Sequence, residues 1–288
     1  MTSPNFESNR QRILRVQLHI EEHLDQELPL AQLADVAYLS PYHFHRIFRA
    51  TVGEGVAEYV RRVRLERSAI ALKATTDDVT KIAFDAQYGS HEAFTRAFRR
   101  QFGMSPSEFR IGTLRTAKQI ERSNAMPQLS EREVRTEFLP ATRVAFLRHI
   151  GPYSESGPTF QKMMCWAFEK GLFNPRTKVL SICHDDPAVT PGEKQRLDCC
   201  VSVDSTFLPE GDVAVQEIPK GEYVIMTHHG EYSGLADSYC WLYGKWLATS
   251  GREFANRPPF EVYLNNPADT PPGELLTEIC ILLKPQVG

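Results

Sequence analysis

The sequence predicts two domains, an all-α domain followed by an α+β domain with a curved antiparallel sheet. Apolar side chains recur at helical spacing over residues 9–114, whereas strand-like runs rich in valine, isoleucine and aromatic residues begin at residue 134. Each half also contains an internal repeat of its own. A chain of 288 residues has room for two domains of ordinary size. We therefore expect the first domain over 1–112, a linker over 113–131 and the second domain over 132–288.

Composition and charge favour a soluble globular protein. The hydrophobic fraction of 42% and the charged fraction of 24% are ordinary for that class, and no apolar run is long enough to predict a membrane-spanning helix. The N-terminal segment lacks the apolar centre of a signal peptide, so a cytoplasmic location is expected. The net charge of −3 divides into +3 over residues 1–125 and −6 over the rest, which suits a first domain that contacts phosphates.

The sequence predicts no cofactor, metal site or catalytic residue. The six cysteines form no C-x-x-C pair, so buried and reduced thiols are expected. His43 and His45 lie two residues apart on a predicted helix, which points their side chains about 200° apart and prevents both from binding one metal ion. No Ser-His-Asp or Cys-His arrangement has supporting context.

A helical unit occurs twice in the first domain. The segments LADVAYLSPYHFHRIFRATVG and IAFDAQYGSHEAFTRAFRRQFG both predict a short helix, a turn, and a second helix with an aromatic inner face. Ser40 and Ser90 are expected to cap the two second helices, which end at Gly53 and Gly103. Two helices crossing over a short turn form a helix-turn-helix, and one long helix from about residue 56 to 73 joins the copies. Such a pair can present two recognition helices to one face of DNA.

The outer faces of the two second helices carry side chains that can read base edges. Arg46 and Arg96 can each donate two hydrogen bonds to a guanine, a contact worth about 1–3 kcal/mol of discrimination. Glu92 can accept from a cytosine amino group, and the Thr95 methyl can contact a thymine methyl. Phosphate contacts, which give affinity without sequence choice, are predicted for Arg49, Arg61, Arg62 and Arg99.

Residues 15–112 resemble the AraC-type DNA-binding domain. The resemblance is carried by Ile82-Ala83, Tyr88-Gly89, Phe94, Phe98-Arg99, Phe102-Gly103 and the segment SPSEFR that follows. One departure is Asp85-Ala86-Gln87 in the second turn, which we expect to affect that turn little. The resemblance implies double-stranded DNA and RNA polymerase as partners. It also implies base-reading roles for Tyr42, His45 and Arg46 in the first copy and for His91, Glu92, Thr95 and Arg96 in the second.

The second domain contains a duplicated strand–strand–helix–strand–strand unit, offset by 79 or 80 residues. His149-Ile150-Gly151-Pro152-Tyr153-Ser154 matches His228-His229-Gly230-Glu231-Tyr232-Ser233, and Trp166 matches Trp246. Two such units side by side predict a curved antiparallel sheet with both helices on one face. A pocket is expected at the pseudo-two-fold axis, either on the concave opposite face or in the cleft between the units.

The copies differ where a binding site is expected. Ser181 of the first copy becomes Glu261 in the second, and Cys183 becomes Tyr263. Glu261 and Tyr263 share one face of a predicted strand because side chains alternate. A carboxylate beside aromatic rings attracts organic cations, although a solvated Glu261 is the simpler alternative. Further ligand-contact candidates are Tyr153 and Tyr232, then Trp166, Trp241 and Trp246, for which core packing is the simpler interpretation.

This half resembles the GyrI-like effector-binding domain over nearly its whole length. The supporting motifs are H-x-G-x-Y-S, present twice, the segment FEVYLNNP from Phe260, and TEICI from Thr277. The resemblance implies binding of lipophilic, often cationic small molecules, with Glu261 as the charge partner. Two alternatives remain open, a hydrolase in which a Glu and a Tyr activate water, and a domain that binds a protein partner. The expected function is a transcription regulator that senses a small-molecule effector, and an effector acts only if it binds two states of the protein differently.

Overall fold

A computed structural model describes residues 9–112, 134–209 and 211–286 of the chain. The chain separates into two compact units, Met1–Leu72 with Asp77–Ser107, and Lys73–Thr76 with Glu108–Gly288. The linker predicted over 113–131 lies outside the described residues. The first unit is helical and the second holds one antiparallel sheet with its helices, as the sequence predicts.

The first unit contains two matched helix-turn-helix copies. Ser40 and Ser90 cap the second helix of each copy by accepting from the backbone N–H of His43 and of Ala93. Both helices end at a glycine in left-handed backbone, Gly53 and Gly103. The helices are α1 (Asn9–Glu22), α2 (Leu30–Val36), α3 (Pro41–Val52), α4 (Val56–Ala74), α5 (Val79–Asp85) and α6 (His91–Phe102), and residues 106–112 are also helical.

Aromatic side chains form the inner faces of α3 and α6. Phe44 and Phe48 are fully buried with ring centroids 5.6 Å apart, and Phe48 lies 5.5 Å from Tyr59 of α4. Phe94 and Phe98 repeat the first pair in α6, again 5.6 Å apart. Burial of these rings leaves the opposite faces of both helices to solvent, which confirms the predicted amphipathic pattern.

The two turns share an unusual backbone conformation. Tyr38 and Gln87, 49 residues apart, take left-handed φ values of 53° and 62°. A side chain there costs about 1–2 kcal/mol relative to ordinary backbone. The Gln87 side chain donates a hydrogen bond to the backbone oxygen of Asp25, which helps to hold the turn in which the sequence departs from the AraC-type pattern.

The second unit is an eight-stranded antiparallel sheet with the order β1-β6-β8-β7-β3-β4-β2-β5. The strands are β1 (Val134–Leu139), β2 (Thr142–Ile150), β3 (Val179–Cys183), β4 (Arg196–Ser202), β5 (Ala214–Ile218), β6 (Gly221–His229), β7 (Phe260–Tyr263) and β8 (Leu276–Leu282). Helix α7 (Gly157–Glu169) follows β2. Helix α8 (Leu235–Trp241) follows β6 and continues through a π-helical turn, Leu242–Trp246, and a last helical turn, Leu247–Ser250.

The sheet has the internal symmetry that the sequence repeat predicts. β1, β2, α7, β3 and β4 form one copy, and β5, β6, α8, β7 and β8 form the other. The two copies meet where β3 pairs with β7, and Ser181 lies opposite Glu261 there. The sequence did not predict that the first strand of each copy pairs with the other copy. β1 of the first copy pairs with β6 of the second, and β5 of the second copy pairs with β2 of the first.

Both helices of this unit cover the same face of the sheet. Glu261 and Tyr263 share one face of β7. Phe160 of α7 packs edge-on against Tyr263 with ring centroids 5.4 Å apart, and Tyr239 of α8 donates to Glu261 over 3.0 Å. The pseudo-two-fold position, where β3 pairs with β7, therefore lies under both helices. Glu261 is on the face that the helices cover and not on the opposite face of the sheet.

A buried charge cluster lies on the opposite face of the sheet. Asp198 is fully buried and accepts from Arg148 Nε and Nη2 over 2.7 and 2.9 Å, and Gln216 Nε2 and His184 Nε2 lie 2.7 and 2.6 Å from its Oδ2. Burial alone would raise the pKa of Asp198, but the Arg148 guanidinium and His184 hold that pKa well below its ordinary value. In the second copy, Thr227 and Glu278 take the positions of Arg148 and Asp198, and Glu278 pairs with Arg135 of β1 instead.

Candidate functional site

The outer face of α3 is exposed and partly ordered by its own side chains. Tyr42 is 66% exposed, and His45, Arg46 and Arg49 are exposed beside it. Arg46 Nη1 donates to the Tyr42 hydroxyl over 3.0 Å, and the guanidinium lies 5.6 Å from the centroid of the Tyr42 ring. This pair, four residues apart on one helix face, holds the Arg46 guanidinium in a defined place.

The outer face of α6 carries both a negatively charged and two positively charged side chains. Glu92, Arg96 and Arg99 are exposed, whereas His91 and Thr95 are half-buried. Hydrogen bonds from its own backbone N–H and from Ser90 lower the pKa of Glu92, so this side chain is an ionised acceptor at neutral pH. Thr95 Oγ1 is buried without a hydrogen-bond partner in the described part of the chain.

Two of the four arginines that were predicted to contact phosphate lie next to each other on the long helix α4, in different environments. Arg61 is exposed. Arg62 instead pairs with two carboxylates, Glu54 Oε1 at 2.6 Å and Glu66 Oε2 at 3.0 Å, and lies over the ring of Tyr59. Its side chain is only 11% exposed, so its placement does not fit the predicted phosphate contact.

Glu261 is the centre of a buried polar cluster in the second unit. The residue is 6% exposed, and four side chains hydrogen-bond to its carboxylate. Tyr239 Oη and Cys183 Sγ donate to Oε1 over 3.0 and 3.6 Å. Ser181 Oγ and Tyr263 Oη donate to Oε2 over 3.3 and 3.2 Å. The solvated strand position that was the alternative for Glu261 is therefore wrong.

Burial governs the ionisation of this carboxylate. Loss of water raises the pKa of Glu261 above its usual value, and hydrogen bonds from Tyr239, Tyr263, Cys183 and Ser181 offset part of that rise. Burial also raises the pKa of the Tyr239 and Tyr263 hydroxyls, which therefore stay protonated and act as donors. The cluster holds one carboxylate among neutral donors, with no cation paired to it among the described contacts.

Aromatic rings surround this carboxylate, though not all of those predicted. The Tyr232 ring lies 5.4 Å from that of Tyr263 and is 40% exposed, which places it toward solvent at the edge of the cluster. Tyr153 lies near Cys183, but its hydroxyl donates to the backbone oxygens of Asp185 and Arg196 over 2.8 and 3.1 Å. The backbone thus holds the Tyr153 hydroxyl, and the ring packs against a hydrophobic cluster that contains Met163 of α7.

The three tryptophans pack within the hydrophobic clusters of the second unit. Trp166 contacts Phe207 with ring centroids 5.7 Å apart, and Trp246 stacks on Phe254 at 5.9 Å. Trp241 is 7% exposed in the cluster that contains Phe254. Core packing, the simpler interpretation, accounts for all three side chains.

Sequence reasoning missed Tyr239, Ser181 and Cys183 as members of the site. Ser181 and Cys183 could have been found, because the 80-residue offset already aligned them with Glu261 and Tyr263. Tyr239 carried no such signal, since its role depends on where α8 crosses the sheet. Within the described residues no group of three metal-binding side chains occurs, and no helix there could cross a membrane.

Two family profiles match the chain. The GyrI-like small molecule binding domain matches residues 132–284, and a helix-turn-helix domain matches residues 33–111. The chain belongs to the AraC-type helix-turn-helix proteins that carry a GyrI-like domain. The GyrI-like match contains the whole Glu261 cluster, and the helix-turn-helix match contains both recognition helices.

Similar proteins include two curated relatives. The chain is 38% identical over 104 residues to an uncharacterized HTH-type transcriptional regulator, YbfP, of Bacillus subtilis (strain 168), covering 36% of this chain and 35% of that protein. It is 36% identical over 91 residues to the regulatory protein SoxS of Escherichia coli (strain K12), covering 32% and 85%. The chain spans about a third of the length of the first curated relatives that it matches. A crystal structure of the EcmrR C-terminal domain is 21% identical, covers 52% of this chain and 96% of that chain, and has a TM-score of 0.43.

Proposed function

We propose that this protein is a sequence-specific DNA-binding transcription regulator whose GyrI-like domain binds a lipophilic organic cation at Glu261. The observation that carries the proposal is a buried carboxylate with tyrosine rings around it, where the two structural copies meet. Such a site recognises a positive charge inside an apolar body, because the carboxylate supplies charge and the rings supply cation–π contact.

The DNA-binding part of the proposal rests on the exposed faces of α3 and α6. Base contacts are assigned to Tyr42, His45, Arg46, His91, Glu92, Thr95 and Arg96, and phosphate contacts to Arg49, Arg61 and Arg99. The domain division 1–112, 113–131 and 132–288 belongs to this proposal, as do a cytoplasmic location and RNA polymerase as a partner. No observation on the site favours the hydrolase alternative, since both Glu261 oxygens already accept hydrogen bonds from side chains.

A cation that binds at Glu261 changes the hydrogen bonds of the carboxylate. The Tyr263 hydroxyl lies 3.2 Å from Glu261 Oε2 and 2.9 Å from Ser181 Oγ, so it can exchange one acceptor for the other. Turning toward Ser181 frees one lone pair of Oε2 without leaving a buried hydroxyl unpaired. Because the Tyr263 hydroxyl can change its acceptor in this way, Glu261 can lose one of its four hydrogen-bond donors and accept a cation without leaving a buried hydroxyl unpaired.

Glu261→Gln is expected to weaken binding of tetraphenylphosphonium at least tenfold. The amide keeps the size of the side chain and removes its charge, and one lost charge-assisted contact is worth about 1.5–3 kcal/mol. Isothermal titration calorimetry of the full chain measures the affinity. Neutral triphenylphosphine oxide should bind wild type and variant alike.

Glu278→Gln is the matched control for this titration. Glu278 lies on the neighbouring strand β8, faces the opposite side of the sheet and pairs with Arg135 at 2.7 Å. Its substitution removes one carboxylate from the same sheet and should leave the cation affinity unchanged. Equal affinities of wild type and Glu261→Gln for tetraphenylphosphonium would reject the assignment of Glu261.

A further inference from the structure

A groove of about 690 Å³ lies within the first unit, away from the Glu261 cluster in the sequence. Its walls come from both helix-turn-helix copies and from the start of α4. Leu30 and Leu33 belong to α2, His45 to α3, and Gln87 and Tyr88 to the turn after α5. The volume lies in the range of small-molecule sites, which is about 300–1,000 Å³.

Apolar surface makes up slightly more than half of the groove. Leu28, Leu30, Leu33, Val56 and Val60 line it, and Leu30 is 40% exposed although it is a large apolar side chain. Leu33, Val56 and Val60 are already buried, so a ligand gains chiefly by covering Leu28 and Leu30, at about 25 cal/mol for each Å² of apolar surface removed from water. This lining suits the apolar body of an organic molecule and gives nothing to a bare phosphate or sulfate ion.

Donors and positive charge line part of the groove, which also contains one carboxylate, that of the exposed Glu58. The Tyr88 hydroxyl is buried and has no hydrogen-bond partner among the described residues. Burial raises the pKa of Tyr88, against the charges of Arg61 and Arg64, so the hydroxyl keeps its proton and can donate. Arg64 is fixed in place because Nε donates to the backbone oxygen of Leu24 over 2.9 Å and Nη2 donates to that of Gln26.

We propose that this groove binds a small organic carboxylate with an aromatic or branched apolar body. Its carboxylate accepts from the Tyr88 hydroxyl and is paired with Arg61 and Arg64, while its body covers the leucines and valines. A buried hydroxyl without a partner costs free energy unless something accepts from it. An acceptor with one negative charge and an apolar body satisfies the hydroxyl, the two arginines and the aliphatic walls together.

Binding at this groove is expected to oppose DNA binding. His45 and Arg61 line the groove, and both belong to the set proposed to contact DNA. A carboxylate that occupies Arg61 competes with a phosphate for the same guanidinium, and linkage requires the two ligands to weaken each other equally. The proposal of a carboxylate site does not depend on the function proposed above, whereas the expected competition with DNA rests on that function.

The test is calorimetric titration of the full chain with 1-naphthoate. Tyr88→Phe removes only the unpartnered hydroxyl, so the fold is kept, and binding should weaken about tenfold or more through the loss of one charge-assisted hydrogen bond. Tyr38→Phe, the same change at an exposed tyrosine outside the groove, should leave the affinity unchanged. Neutral 1-naphthalenemethanol should bind at least tenfold more weakly than 1-naphthoate, and saturating tetraphenylphosphonium should not displace the naphthoate.

Three results would overturn the carboxylate site. The first is an equal affinity of wild type and Tyr88→Phe for naphthoate, and the second is an equal affinity of wild type for naphthoate and for the neutral alcohol. The third is displacement of naphthoate by inorganic phosphate at comparable concentration, which would make the groove a simple phosphate contact. A second variant, Leu30→Glu, places a carboxylate on the aliphatic wall and should abolish naphthoate binding. Retention of binding in that variant would also contradict the assignment.

Discussion

The double substitution Arg46→Ala and Arg96→Ala is expected to lower the preference for operator over scrambled duplex by about 30-fold to 25,000-fold. Each arginine is exposed on the outer face of its recognition helix, and a bidentate contact to guanine is worth about 1–3 kcal/mol. The two helices belong to separate copies, so the two losses should add. An operator is first selected from a random duplex pool with the wild-type protein, and fluorescence anisotropy then measures both affinities.

Arg46→Lys with Arg96→Lys is the matched control for the alanine pair. Lysine keeps the positive charge that attracts phosphates but lacks the planar fork that meets guanine in two places. The lysine pair should therefore lose most of the sequence preference and keep the salt-dependent affinity for scrambled duplex. A preference within twofold of wild type in both double variants would contradict base reading by these arginines.

Asp198→Asn is expected to destabilise the second unit by about 3–5 kcal/mol. The substitution leaves the Arg148 guanidinium, only 4% exposed, as a buried charge without its carboxylate, and such a loss is among the most costly single changes. All three tryptophans lie in this unit, so tryptophan fluorescence during urea denaturation of the full chain reports its unfolding.

Two comparisons bear on this expectation. Lys162→Gln breaks an exposed ion pair with Asp212 in the same unit and should leave the urea midpoint unchanged, because exposed pairs contribute little. The pKa of Asp198 is lower in the folded state, so the unfolded chain takes up its proton first as pH falls. The stability from Asp198 is therefore present above its ordinary pKa and is lost in acid. A wild-type midpoint in Asp198→Asn would contradict a stabilising role of the carboxylate.

The sequence predicts well whatever depends on local spacing. Apolar periodicity predicts the inner faces of α3 and α6, and the serine and glycine positions predict their caps. Strand alternation alone predicts that Glu261 and Tyr263 share a face. The 80-residue repeat predicts the pseudo-two-fold axis and aligns Ser181 and Cys183 with Glu261 and Tyr263.

Features that depend on packing between distant segments were not predicted. Tyr239 reaches Glu261 only because α8 crosses the sheet at that level, and helical periodicity does not set that level. Arg62 lies inward because Glu54 and Glu66 flank it, one of them before α4 begins. The sequence repeat also does not predict the exchange of β1 and β5 between copies, because pairing within a copy and pairing between copies satisfy the same alternation of side chains.

The pH dependence of tetraphenylphosphonium binding tests the central claim most directly, because it reports the ionisation of one buried carboxylate. The pKa of Glu261 is raised above 4.5, and a proton and the cation compete for the same group. Calorimetry between pH 5 and 8 should show affinity that rises with pH, by up to about tenfold per unit below the folded pKa, and then levels off. Glu261→Gln should show a low affinity at every pH. A wild-type affinity that does not change with pH, or the same rise in Glu261→Gln, would contradict cation binding at Glu261.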